Sequence, residues 1–133
     1  MTKPQEVLAA PASEPSTLPE IDAPDGLICP ASVIFDSDAV TLQISEATAD
    51  AKSEKEIRAA TVTVLAQARK SGMVQIASAF KAQPFAARPT TRAYSWLTDQ
   101  IVTSALGVAI DHLHPNPNPT TAESIAIIAV GGY

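Results

Sequence analysis

The sequence predicts a mainly α chain that closes on one buried β segment. Three observations carry this reading. The 133 residues are 46% apolar but only 5% aromatic, an aliphatic composition that suits helices packed at close range. Apolar residues recur at spacings of three and four over 57–68 and again over 93–113, which marks one face of an α-helix. The run "SIAIIAV" at 124–130 is instead rich in β-branched residues and apolar on both faces, the pattern of a strand covered on both sides. This length supports one domain with a real core, not two.

Residues 1–26 read as a disordered, acidic arm. Six of the eleven prolines fall within the first thirty residues, at Pro4, Pro11, Pro15, Pro19, Pro24 and Pro30. They remove backbone donors and forbid a continuous helix, among too few apolar side chains to offset the cost of ordering the chain. A helical region is expected over 27–122, opening with "GLICP" and "ASVIF" as the first segments able to reach a core. A short helix over 38–50 comes first.

The clearest helix of the first half follows, with Ser53 as N-cap and Glu56 completing a capping box. Ile57, Thr61, Val64, Leu65 and Ala68 form its buried face. Arg69 and Lys70 suit the negative end of its dipole, and Gly72 is expected as a left-handed C-cap. A separate helix is predicted from Met73 to Ala82, with Met73, Ile76, Ala77 and Phe80 on one face and Pro84 as its stop.

The next helix is expected after Pro89, capped by Thr90 or Thr91. Its wide apolar face includes Ala93, Trp96, Leu97, Ile101, Ser104, Ala105 and Val108, joined by Leu106, Ile110 and Leu113, with Trp96 as main anchor. Gly107 inside it costs about 1 kcal/mol relative to Ala, so a closely passing helix is the expected reason for it. "PNPNPTT" then makes a stiff linker, Pro115, Pro117 and Pro119 being its rigid points. The strand at 124–130 has no partner strand earlier in the sequence. A lone strand leaves its backbone donors and acceptors orphaned on burial, so its sheet is expected to lie outside these residues.

The net charge of −5 conceals an asymmetry. Residues 1–50 carry −8, residues 51–100 carry +5 and residues 101–133 carry −2. Solvated helix faces explain this more simply than docking of an acidic partner does, since exposed charge pairs are weak. No basic stripe with interleaved aromatics supports nucleic-acid binding. Cys29 is the only cysteine, which points to a reducing compartment, and nothing beside it in sequence acidifies the thiol for nucleophilic work. The N-terminus lacks a basic segment followed by an apolar core, so no signal peptide is read there. The longest apolar run is too short for a bilayer. A soluble, cytoplasmic chain without membrane association is expected.

Residues with catalytic or ligating chemistry are few. Asp36 and Asp38 spell an Asp-x-Asp pair, but they precede a helix and suit capping better than metal. His112 and His114 close the long helix beside Asp111; positions two apart do not share a helix face, and the dipole accounts for cations there. Tyr94 and Trp96 point to different faces, with core packing as their default. No metal site is read from the residues. Gly131 and Gly132 follow the apolar run, either as a turn requiring positive φ or as a backbone approaching phosphates.

Residues 92–133, "RAYSWLTDQIVTSALGVAIDHLHPNPNPTTAESIAIIAVGGY", resemble the entrance to the nucleotidyltransferase domain of bacterial PII uridylyltransferase/uridylyl-removing enzymes. The matching features are the "LxDQ" helix (Leu97-Thr98-Asp99-Gln100), a proline-containing linker ending at Asn118-Pro119-Thr120, and a strand running into Ala129-Val130-Gly131-Gly132-Tyr133. The upstream helices and "GLICP" resemble alphaproteobacterial members, so the likeness covers about three-quarters of the chain. It implies an α/β nucleotidyltransferase domain whose first strand and Gly-Gly turn occupy 123–133. It further implies UMP transfer from UTP to a tyrosine of the PII signalling protein, hydrolytic removal of that UMP, and control by glutamine. Gly131 and Gly132 would cradle the triphosphate. Magnesium would be held by an Asp-x-Asp pair beyond the Gly-Gly turn, absent from this sequence, so the chain alone is expected to be inactive. The other readings are a small helical protein-interaction module and part of a related nucleotidyltransferase acting on glutamine synthetase.

Overall fold

The structure, a computed structural model, describes residues 18, 21–115 and 125–130. Its elements are α1 (Ala31–Ile34), α2 (Ser37–Thr48), α3 (Glu54–Ala82) and α4 (Ala87–Val108), the last extended by a π-helical turn, Ala109–Leu113. The mainly α class predicted from the sequence is what forms. α3 and α4 make a long antiparallel hairpin, α2 packs on α3, and α1 lies across both long helices.

Each start has a local cause. Asp36 caps α2, its carboxylate accepting the Ala39 N–H at 3.0 Å, so the capping role holds. Ser53 caps α3 by accepting the Glu56 N–H at 3.2 Å. The return bond shifts by one residue: Glu56 accepts from the Lys52 N–H at 2.7 Å, not from Ser53. α4 begins earlier than expected, at Ala87. Pro89 sits inside the first turn, where its missing N–H has no intrahelical partner to lose. Thr90 and Thr91 therefore do not cap; their hydroxyls donate back to the carbonyls of Ala86 and Ala87 at 2.7 and 3.1 Å.

Gly72 does not end a helix. The two helices expected on either side of it are one helix of 29 residues. A Cβ at Gly72 would lie 2.6 Å from the Ile34 carbonyl oxygen and 2.8 Å from a Leu97 methyl, so only glycine lets α1 and α4 seat against α3 here. At Gly107 a Cβ would meet nothing nearer than Leu18 at 3.7 Å, an ordinary contact. The close approach expected at Gly107 occurs at Gly72 instead.

The core gathers Ile28, Ile34, Phe35, Val40, Ile44, Leu65, Ile76, Ala93, Trp96, Leu97 and Val108. Among the described residues Ile34 and Ile76 are the largest side chains buried completely, and full burial of such a side chain stabilises by about 1.5–3 kcal/mol. The predicted α3 face, Ile57, Thr61, Val64, Leu65 and Ala68, points inward, and the stripe continues through Gly72 and Ile76. Met73 and Phe80 lie on its margin, more than a third exposed, and Ala77 is exposed. On α4 Ala93, Trp96, Leu97 and Val108 of the expected face are buried, Ile101, Ser104, Leu106, Ile110 and Leu113 are half-buried, and Ala105 is exposed.

Residues 125–130 form no strand. Ile125, Ile127, Ile128 and Val130 are 55–90% exposed, as befits a β-branched run with no ladder partner among the described residues. Within the acidic arm, the Asp25 carbonyl accepts from Arg92 Nη1 at 3.3 Å. Gly26 turns there with φ +74°, a conformation that glycine adopts freely.

Candidate functional site

The glycines read as the phosphate-binding turn, Gly131 and Gly132, lie outside the described residues. The segment that leads to them does not. Ile125, Ile127, Ala129 and Val130 flank a cleft of about 460 Å³ whose other wall is the outer side of α4 at Thr98, Asp99, Val102, Thr103 and Leu106. Leu18 and Ile21 of the arm close its remaining side. The chain ahead of the helices and the chain behind them thus meet on one helix face.

That face explains the composition of "LTDQ". Leu97 turns inward, 2% exposed, and its methyls lie over Gly72. Thr98 and Asp99 look into the cleft beside the apolar run. Gln100 faces a second, larger groove of about 860 Å³ between α4 and the start of α2. One tetrapeptide therefore locks α4 into the core and presents polar groups to two depressions, as the 100° step of a helix requires.

The larger groove gathers Asp36, Asp38, Asp111 and His112 along its edge. Among the described residues no three His, Cys, Asp or Glu side chains converge as a metal site would require, and Asp36 is engaged as a helix cap. The described residues therefore do not fit the magnesium that the resemblance implies. Cys29 is half-buried and packs against the core, and this burial pushes its thiol pKa up. A raised pKa lowers the thiolate fraction, consistent with a packing role. His112 and His114 sit at the π-helical turn, where the His114 N–H donates to the Ala109 carbonyl at 2.8 Å. Among the described residues no helix is long and apolar enough to cross a membrane.

Two features escaped the sequence reading. Leu18 and Ile21 are apolar positions in a proline-rich arm, and their three-residue spacing was the available signal. Phe85, between the two long helices, is 99% exposed; a large aromatic next to Pro84 in a short connection was the corresponding clue.

No family model and no solved structure matches the chain. Curated proteins do. It is 46% identical over 100 residues to the bifunctional uridylyltransferase/uridylyl-removing enzyme of Ruegeria pomeroyi, covering 75% of this chain and 11% of that protein. To the enzyme of the same description from Cereibacter sphaeroides it is 44% identical over 129 residues, covering 93% of this chain and 13% of the relative. A third relative so described, from Erythrobacter litoralis, is 34% identical over 88 residues, 66% of this chain and 10% of its own length. The chain thus spans about a tenth to an eighth of the length of these curated relatives. By this relationship the chain belongs, as a segment, to the family of bifunctional uridylyltransferase/uridylyl-removing enzymes.

Proposed function

We propose that this chain is the helical entrance to a nucleotidyltransferase domain, within an enzyme that attaches UMP to a tyrosine of the PII signalling protein and removes it again. In this reading UTP is the donor, glutamine sets the direction, magnesium is held by carboxylates beyond these residues, and the enzyme works in the cytoplasm. The 44–46% identity to enzymes named for both reactions carries the proposal. The exposed state of residues 125–130 supports it, since a β-branched run of this kind is stable only once paired. The helices would then act as a platform that delivers the run, and Gly131 and Gly132 after it, to the sheet. Their backbone N–H groups would face the triphosphate, where no side chain obstructs approach.

Two measurements test this. Reading the gene past the codon for Tyr133 should give a frame that continues into an Asp-x-Asp pair shortly after the glycines. In the enzyme assembled from that full frame, Gly132→Val should lower UMP transfer at least about 100-fold, as lost transition-state contacts do, while hydrolytic removal of UMP persists. Robust magnesium-dependent transfer by the 133 residues alone, or loss of both activities together in a folded Gly132→Val enzyme, overturns the assignment.

A further inference from the structure

The connection between α3 and α4 is a turn of four residues, Gln83 to Ala86, with a purpose that core packing does not explain. The Ala86 N–H donates to the Gln83 carbonyl at 3.0 Å, and the Gln83 N–H is held by the carbonyls of Ala79 and Phe80. Pro84 sets the second position, as such turns favour. Phe85 occupies the third and is 99% exposed. A phenyl ring on a tight, hydrogen-bonded turn is held out into water, which a soluble domain has no internal reason to do.

Along the hairpin's own sequence near the turn the charge is of one sign. From residue 57 to residue 98 the sequence contains six Lys and Arg and no Asp or Glu. Lys81 lies in the last turn of α3 and Arg88 in the first turn of α4, so both flank Phe85. Both are exposed and neither forms an ion pair among the described residues. Phe80, one turn back on α3, adds a second partly exposed ring, 38% accessible. The N-terminus of α4 contributes its own partial positive charge at the same end.

We infer that this hairpin tip is a docking knob for a protein surface in which an apolar pocket is rimmed by carboxylates, Phe85 filling the pocket and Lys81 and Arg88 pairing with the rim. The arrangement matches the anatomy of interaction hot spots, where one rigid aromatic anchor supplies most of the affinity and surrounding charges select the partner. The turn is already ordered, so binding incurs little loss of loop entropy. A membrane is disfavoured because the core-facing sides of both helices are packed together, leaving Phe85 and the partly exposed Phe80 but no amphipathic surface to insert. Nucleic acid is disfavoured because the cations are spread thinly along the hairpin.

The test uses the intact chain, immobilised and panned with a displayed library of random twelve-residue peptides. The peptides recovered are then synthesised for titration, alongside phosphatidylcholine/phosphatidylserine vesicles and a duplex DNA oligonucleotide. Enriched peptides should combine Asp or Glu with an apolar residue. Phe85→Ala should weaken their binding at least about tenfold, and the double variant Lys81→Glu/Arg88→Glu by a similar factor with a flatter salt dependence. All three positions are exposed, so the variants should keep the parent's helical circular dichroism and melting profile. Lack of enrichment, peptides without acidic residues, binding indifferent to Phe85, or Phe85-dependent binding to vesicles or duplex in place of peptides would each overturn the inference. None of these readouts depends on nucleotide transfer, so the knob stands or falls apart from the family's chemistry.

Discussion

Two glycines with opposite fates show how finely the packing is set. Gly72→Ala places a methyl 2.6 Å from a backbone carbonyl, which cannot rotate away as a side chain would. Overpacking of this kind costs about 1–3 kcal/mol, and urea melts should show that loss. Gly107→Ala has room and should stabilise by about 0.5–1 kcal/mol through helix propensity alone. The sign difference between the two variants is the check. Cys29 offers a third test at this scale. Its pKa is raised by burial, so its contribution to stability is complete below the ordinary thiol range and is lost as pH rises through its own, higher pKa. Alkaline melts of the wild type should show this decline and those of Cys29→Ser should lack it. Iodoacetamide should also modify the native thiol more slowly than the urea-unfolded one at the same alkaline pH. The role of Gly72 was legible in principle, since position 72 continues the four-residue step from Ala68 and the seven-residue step from Leu65. Reading glycine as punctuation hid a phase that never breaks.

Among elements, α3 sets the frame. At 29 residues it is about 43 Å long, longer than its packing partners, and its start rests on one cap. Ser53→Ala removes the 3.2 Å bond to the Glu56 N–H and should cost about 1 kcal/mol, with amide hydrogen exchange accelerating at residues 54–57 and unchanged around Ile76. The sequence identified this cap, the α2 cap at Asp36 and most of the inward faces of both long helices, because those signals are local and periodic, though not the exposure of Met73, Ala77, Phe80 and Ala105. It misplaced the start of α4, because a proline in the first turn of a helix resembles one that precedes it until the backbone is seen. The fate of residues 124–130 was only half legible. Their composition records a preference for β structure, but a strand is a property of two chains, and the described residues offer no second one.

At the scale of the whole molecule, the helical core closes without the apolar run. The large side chains of residues 125–130 remain mostly in water, so a chain ending at Pro115 should melt within about 0.5 kcal/mol of the full sequence. It should also stay monomeric at concentrations where the full sequence self-associates through that run; light scattering of the two forms decides this. A fall in stability of several kcal/mol would mean that the run belongs to the core after all. The candidate phosphate turn was legible only as letters, because what a Gly-Gly step does depends on the sheet before it and the helix after it.

The hairpin turn and the apolar run sit at different heights along α4. Phe85 stands just before its first residue, while the run lies beside Thr98 to Leu106, about 24 Å further on at 1.5 Å per residue. Because Leu97, just before that stretch, is clamped over Gly72, the helix works as a strut of fixed length. Anything gripping the tip is held at arm's length from whatever completes the run, so both ends can be occupied at once.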